Sequence, residues 1–164
     1  MIRAQHGLLA EATDAGLLGG SAVAFWFLVR DLLSGHPLRT PSVLGQVLLL
    51  GEQHPDVNNM VFGAVVLYTG FHFILFLVFA TVVALLVRLS VEQAVVRFAL
   101  LVLFVAFEFC FYVVINTVSE EVGALFPLWT VLAANLLASM VMMVYFWRRY
   151  PELKGILREE PLGA

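Results

Sequence analysis

The sequence predicts an all-α integral membrane protein, a bundle of four transmembrane helices with a short interfacial helix between the first and second spans. The 164-residue chain is 62% hydrophobic and only 13% charged, whereas an average soluble domain is about 45–50% apolar and about 25% charged. Its apolar residues fall into four runs, each near the roughly 20 residues that a helix needs to cross a bilayer core. Because no β-barrel alternation is present, and lipid admits only helices or closed barrels, we expect helices.

We treat residues 1–164 as a single transmembrane domain. Its four spans are expected at about residues 15–33, 60–87, 91–118 and 126–147, followed by a cytoplasmic tail at 151–164. Ser90 and Gln93 have the spacing of a capping box, which predicts that the third helix starts near Val91. Further cap candidates, for the second and fourth helices, are Asp56, Asn58, Asn59 and Ser119.

A shorter helix is predicted in the outer segment 41–50. Thr40 and Pro41 fit an N-cap followed by a proline at the first helical position. About ten residues cannot span a bilayer, so we expect an amphipathic helix that lies at the interface or dips in against the bundle. Just before it, Arg30 and Asp31 are expected to form an interfacial ion pair, with a snorkelling arginine or a docking role as alternatives.

Positive charge predicts the orientation. Seven of the nine lysines and arginines lie near the N-terminus, around the 88–97 loop and at the C-terminal end, while Arg30 and Arg39 lie on the other side. The positive-inside rule therefore predicts a bacterial-type cytoplasmic membrane protein with both termini cytoplasmic. The formal charge of −3 argues against nucleic-acid binding, which needs a basic surface. Anchors at one membrane face are expected from Trp147, Arg148, Arg149 and Tyr150.

The candidate functional residues are ionisable groups inside the spans, where lipid penalises charge. His72 lies about 18 Å along the second span from Met60, and Glu108 about 15 Å along the third from Phe98. Since these helices are antiparallel, both side chains are expected near mid-membrane and within reach of each other. Helical spacing adds neighbours that would complete a polar seam: Tyr68, Thr69, Tyr112, Asn135 and Ser139.

Three roles are open for this seam. Polar side chains can simply join helices, at about 0.6 kcal/mol each. A histidine beside a glutamate can instead hold and release a proton. His72 could also ligate a haem or chlorin, which needs one protein nitrogen. No other cofactor is expected, because one histidine and one carboxylate fall short of the three or more ligands of a tight metal site.

The expected function is that of a non-catalytic accessory, assembly or scaffolding subunit of a larger membrane complex, for example a respiratory or photosynthetic one. Its partners would be the lipid bilayer and other membrane subunits, and the GxxxG pair Gly16 and Gly20 would allow close helix packing. The Walker, GxSxG, HExxH and CxxC signatures of enzymes are absent from the sequence. The alternatives are a small proton- or ion-coupled transport protein using His72 and Glu108, and a haem or chlorin binder.

Overall fold

The structure, a computed structural model, describes residues 2–92, the positions 102, 103, 105, 106, 109, 112, 113 and 123, and residues 125–150, with residues 2–6, 91 and 92 described by backbone alone. This part of the chain is all-helical. Its four helices are α1 (Ile2–Leu33), α2 (Arg39–Leu49), α3 (Phe62–Glu92) and α4 (Leu128–Arg149). Three helices are long and apolar enough to cross a membrane, over Gly7–Leu33, Phe62–Ser90 and Leu128–Arg149, which indicates a helical membrane protein.

Helix α1 is the centre of the described bundle. It packs along α3 and along α4, while the short α2 packs against α3. The buried apolar side chains form two clusters, one at each end of the bundle. The first, nearer α2, is built around Val23, Phe27, Val43, Leu44, Phe76, Phe126 and Val131. The second is built around Ala12, Ala15, Ala80, Ala84, Met142 and Phe146.

Small residues let α1 approach its neighbours. A Cβ atom added to Gly16 would lie 3.0 Å from the carbonyl oxygen of Phe76, and one added to Gly20 would lie 3.1 Å from the ring of Phe73. Both glycines therefore face α3. Gly19 lies between the two neighbouring helices, since its added Cβ would lie 2.8 Å from the Met142 sulfur of α4 and 3.3 Å from the Phe76 ring of α3. The glycine stretch of α1 thus serves two helix contacts at one level of the bundle.

The long helices extend beyond the predicted spans. Helix α1 begins at Ile2 rather than near residue 15, and α3 runs to Glu92 rather than to 87. The predicted capping box is wrong in its first member, because Ser90 is buried inside α3 and its hydroxyl donates to the Val87 carbonyl at 2.7 Å. The rest of that box, Gln93, lies outside the described residues, as does Ser119.

Helix α2 forms where the sequence predicted a short helix, but its cap is different. It begins at Arg39, so Thr40 lies inside it. The cap comes from α1: Oδ2 of Asp31 accepts the Thr40 amide hydrogen at 2.7 Å, and Oδ1 accepts the Thr40 hydroxyl hydrogen at 2.8 Å. A residue in the left-handed region, Leu38 with φ 62°, turns the chain into the helix. The carboxylate thus does from a neighbouring helix what an N-cap side chain usually does locally.

The expected Arg30–Asp31 ion pair is replaced by two separate bonds. Nη2 of Arg30 donates to the carbonyl oxygen of Leu125 at 2.8 Å, next to the start of α4, while Asp31 holds Thr40. A backbone carbonyl needs a hydrogen-bond donor, as a carboxylate does. Here Arg30 donates to the Leu125 carbonyl, and Asp31 obtains its donors from Thr40 instead of from Arg30. Together they join α1 to α2 and to the segment that leads into α4.

The start of α3 is also held from outside. The caps predicted before the second span do not cap it: Oδ1 of Asp56 accepts the amide hydrogens of Asn58 and Asn59 at 3.0 and 2.9 Å within its own turn. The amide of Val61, just before α3, donates instead to the hydroxyl of Ser42 on α2 at 2.9 Å. Helix α4 follows Pro127 and is shifted by two residues from the predicted span 126–147, since it begins at Leu128 and ends at Arg149, before Tyr150.

Candidate functional site

A cavity of about 440 Å³ lies between α1, α2 and α3. Its walls are mostly apolar, with Phe25 and Leu28 of α1 and Phe73 of α3 among them. This volume falls in the range of small-molecule sites, about 300–1,000 Å³. The polar side chains that line the cavity are Ser21, Asp31, Thr40, Tyr68, Thr69 and His72.

His72 is fixed by a bond between helices. Its Nε2 atom lies 3.0 Å from the carbonyl oxygen of Gly20 on α1. Because a carbonyl can only accept, Nε2 carries the proton, and the neutral ring keeps its lone pair on Nδ1. Aromatic rings surround the imidazole, with centroids at 4.8 Å for Phe76, 5.4 Å for Phe73 and 6.0 Å for Tyr68. The missing side chain at Gly20 leaves room for the Phe73 ring, which would lie 3.1 Å from an added Cβ.

This bond bears on ligation by His72. Haem and chlorin ligation needs a nitrogen lone pair, and Nε2 has none to offer while it donates to Gly20. A pigment would have to bind Nδ1 or break the bond between α1 and α3. Cofactor binding through His72 therefore remains a prediction, and it now specifies one ring nitrogen.

The structure brings the three seam residues of α3 to one cavity, whose described lining includes no residue of α4. Tyr68, Thr69 and His72 line the same cavity, although the Thr69 hydroxyl already donates to the Val65 carbonyl at 2.7 Å. Asn135 is buried and Ser139 is half-buried, and both lie on α4. The described residues that line the cavity belong to α1, α2, α3 and the turn before α2. Tyr112 is half-buried. Glu108 lies outside the described residues, so its pairing with His72 stays a prediction.

A second polar site, which the sequence analysis missed, is built on Glu11 of α1. The Oε2 atom of Glu11 accepts from Nη2 of Arg88 at 3.0 Å and from the Tyr150 hydroxyl at 2.8 Å, and Oε1 accepts from Nε of Arg149 at 3.1 Å. Nε of Arg88 also donates to the Tyr150 hydroxyl at 3.1 Å. We call these four residues the Glu11 cluster. It joins one end of α1 to the ends of α3 and α4.

The Glu11 cluster changes the interpretation of the predicted anchors. Arg149 and Tyr150 bind Glu11, while Arg148 is exposed and Trp147 is half-buried. Burial and the adjacent Glu11 carboxylate raise the pKa of the Tyr150 hydroxyl, which keeps it protonated as a donor. The sequence did contain a signal for this cluster: Glu11, Arg88 and Arg149 are opposite charges near one predicted membrane face, in helices that otherwise carry few charges.

A third set of polar contacts holds the loop between α2 and α3. The side-chain amide of Gln46 pairs with the backbone of Asp56: Oε1 accepts its amide hydrogen at 2.9 Å and Nε2 donates to its carbonyl at 3.2 Å. Gln46 is 5% exposed, so this pairing satisfies both halves of a buried amide. Together with the bonds of Asp31 and Ser42, it forms the network that we call the α2 end.

Among the described residues there is no group of three or more histidine, cysteine or acidic side chains that could hold a metal ion. The chain matches no protein-family model. Comparisons with curated proteins and with solved structures found no match either.

Proposed function

We propose that the chain crosses the membrane four times and that a further span, predicted at about 91–118 and now placed after Glu92, leads back from the end of α3 to the start of α4. The support is the order of the helix ends. Helices α3 and α4 both start at the α2 end and both finish at the Glu11 cluster, where Arg88 and Arg149 bind one carboxylate. The chain must therefore travel back over the length of α4, about 33 Å, between residues 93 and 124. Those 32 residues are enough for one helical crossing.

We further propose that both termini face the cytoplasm and that α2 lies at the outer interface of a bacterial-type cytoplasmic membrane. The uneven distribution of lysine and arginine supports this orientation. The chain has one cysteine, Cys110. In a Cys110→Ala background, single cysteines at Ser34 and Arg148 would be labelled with a membrane-impermeant maleimide. We expect Ser34→Cys to react on intact cells and Arg148→Cys to react only after lysis. The reverse pattern would invert the topology.

The best-supported function is that of a non-catalytic subunit, accessory to or assembling a larger membrane complex. The observation behind this proposal is how the described polar groups are used. Glu11, Asp31 and Gln46 all bond within the chain and hold helices together. The described exterior, in contrast, exposes large apolar side chains, including Phe25 at 65% and Trp129 at 64%. Such a surface suits contacts with lipid and with other apolar helices.

Native purification tests this proposal. The tagged protein would be extracted in mild detergent, and mass spectrometry and a visible spectrum would be recorded on the eluate. We expect recovery in a stoichiometric assembly without absorption bands of a pigment. Recovery as a monomer or homo-oligomer would overturn the subunit proposal, and a visible spectrum lost in His72→Leu would favour the pigment alternative.

Photo-crosslinking locates the contact. A photoreactive amino acid at Leu136 probes the outer side of α4, and one at Ile74 probes the outer side of α3; both side chains are at least half exposed. A subunit gives a discrete protein adduct from at least one of the two positions in the native membrane. Adducts to lipid alone from both positions would contradict the proposal.

A further inference from the structure

The cavity between α1, α2 and α3 has two features that point to a ligand. It is elongated, because its lining on α1 runs from Ser21 to Asp31, about 15 Å along a helix. Its walls are apolar over most of this length. Tyr68 and His72 lie together toward the Ser21 end, where His72 reaches Gly20, while Asp31 and Thr40 at the other end are bonded to each other. A molecule filling it would have an apolar body and one polar group.

Among the described residues, hydrogen-bonding capacity at this level is left over. Nε2–H of His72 is used on the Gly20 carbonyl, which leaves the Nδ1 lone pair as an acceptor. Among the described residues, none hydrogen-bonds the Tyr68 hydroxyl, which can donate as well as accept. The two rings are neighbours, with centroids 6.0 Å apart and planes inclined by 32°. Both rings line the same cavity.

Charge excludes the common anionic headgroups. No lysine or arginine is found among the described residues that line the cavity, and its one charged group, the Asp31 carboxylate, is already bound by Thr40. A phosphate or carboxylate placed here would face the Asp31 carboxylate, and the described arginines nearest to it, Arg30 and Arg39, line an adjoining pocket on the other side of Asp31 and Thr40. The occupant that this lining favours is uncharged.

We propose that the cavity binds an uncharged, membrane-dissolved alcohol. Its hydroxyl hydrogen is donated to Nδ1 of His72, its hydroxyl oxygen accepts the hydrogen of Tyr68, and its apolar body lies along Phe25 and Leu28. A single hydroxyl satisfies both protein groups, which an ether or a hydrocarbon cannot do. The binding site stands independently of the proposed subunit function, because its test uses the purified chain alone.

The test measures binding of a radiolabelled fatty alcohol and of its methyl ether to the protein in lipid nanodiscs. The ether keeps the oxygen that accepts from Tyr68 but has no hydrogen for His72. One hydrogen bond of about 1 kcal/mol corresponds to about fivefold in Kd. We therefore expect the alcohol to bind about fivefold more tightly than the ether to the wild-type protein.

Variants separate the two contacts. Tyr68→Phe removes one hydroxyl and should weaken both ligands about fivefold while leaving the alcohol-to-ether ratio unchanged. The matched control is Tyr145→Phe, whose hydroxyl bonds Asp14 away from the cavity and whose loss should leave both affinities unchanged. Ala24→Phe, which fills the cavity from the α1 wall, should abolish saturable binding.

The proposal is overturned by any of three results: no saturable binding, equal affinity for alcohol and ether in the wild-type protein, or undiminished binding to Ala24→Phe. Helicity and thermal unfolding measured in the same nanodiscs identify a variant that has lost its fold. Since Tyr68→Phe and Tyr145→Phe each remove only an oxygen, their comparison remains informative if the bulkier variant fails to fold.

Discussion

Helix α1 carries a buried carboxylate near each end, and the two are stabilised in different ways. Glu11 and Asp31 are each 5% exposed and lie about 30 Å apart along the helix. Glu11 is neutralised by two arginines, from α3 and α4, and accepts a third bond from Tyr150. Asp31 accepts an amide and a hydroxyl hydrogen from one residue, Thr40.

The difference separates two uses of a buried charge. At the Glu11 cluster the net charge of the partners matters, because an arginine without its carboxylate would remain next to the apolar bundle. At the α2 end the geometry of the acceptor matters, because the partners of Asp31 are neutral groups at the start of a helix. Removing the charge while preserving the side-chain shape should therefore lower the stability of the protein more at the Glu11 cluster than at the α2 end.

The largest effect is expected from Glu11→Ala. This variant leaves Arg88, whose side chain is 27% exposed, without its carboxylate, and we expect a loss of about 3 kcal/mol in unfolding free energy, at the low end for buried pairs. Glu11→Gln should recover little of it, because the amide keeps the shape without the charge. Unfolding in mixed detergent micelles, followed by circular dichroism, measures both. Arg148→Ala, at an exposed neighbour, is the control and should stay within about 0.5 kcal/mol.

A steric variant tests how firmly α2 is held. A Cβ atom added to Gly45 would collide with the Ala64 carbonyl oxygen of α3 and lie 3.0 Å from the Ala64 Cα. Gly45→Ala must therefore displace backbone, at a cost of about 2 kcal/mol. Gly70→Ala is the matched control, since its Cβ would meet open space and alanine is the better helix former. Equal stability of the two variants would mean that α2 can shift on α3 without cost.

Asp31→Ala is expected to have a smaller effect, about 1.5 kcal/mol, typical of a lost helix cap. Asp31→Asn should stay within about 0.5 kcal/mol of the wild type, because its carbonyl accepts the Thr40 amide hydrogen and its NH₂ group can donate to the Thr40 hydroxyl oxygen. The same unfolding experiment measures both variants. An asparagine variant as damaged as the alanine variant would show that the charge of Asp31 matters as it does at Glu11.

The smallest effect concerns acid. Donation by the Asn59 side-chain amide, together with the amide hydrogens of Asn59 and Asn58, holds the pKa of Asp56 below its ordinary value. The resulting stabilisation of the turn is present above the ordinary aspartate pKa of about 4 and is lost as the pH falls through the lowered value. The protection of the Asn58 and Asn59 amides against hydrogen exchange, measured relative to the intrinsic rate at each pH, should fall on acidification. Asp56→Asn should remove this dependence, and an identical acid response in both proteins would argue against the carboxylate.

Composition and apolar run length were enough to predict the helical membrane class and the three long helices that the structure describes, since lipid leaves the backbone few alternatives. The short helix near 41–50 followed from its proline and apolar residues. The predicted span 15–33 followed the apolar run alone, whereas α1 begins at Ile2 and includes Glu11, whose partners were unknown. Those partners are 77 and 138 residues away along the chain.

The candidate site was predictable only in part. The spacing of Tyr68, Thr69 and His72 was enough to place them on one face of a helix, and they do line one cavity. The partner of His72, however, is a backbone carbonyl, a group that every residue carries, so no pattern of side chains identifies it. The same holds for Gln46 and the backbone of Asp56.

The sequence distance within the Glu11 cluster has a consequence for biosynthesis. Glu11 is synthesised early, yet Arg149 follows it by 138 residues and Tyr150 by 139. A nascent chain that stalls after α3 carries Arg88 as a partner for Glu11 and lacks the other two. The Glu11 carboxylate of α1 is therefore fully paired only when α4 is complete. A truncated chain would present an incompletely paired carboxylate to cellular quality control.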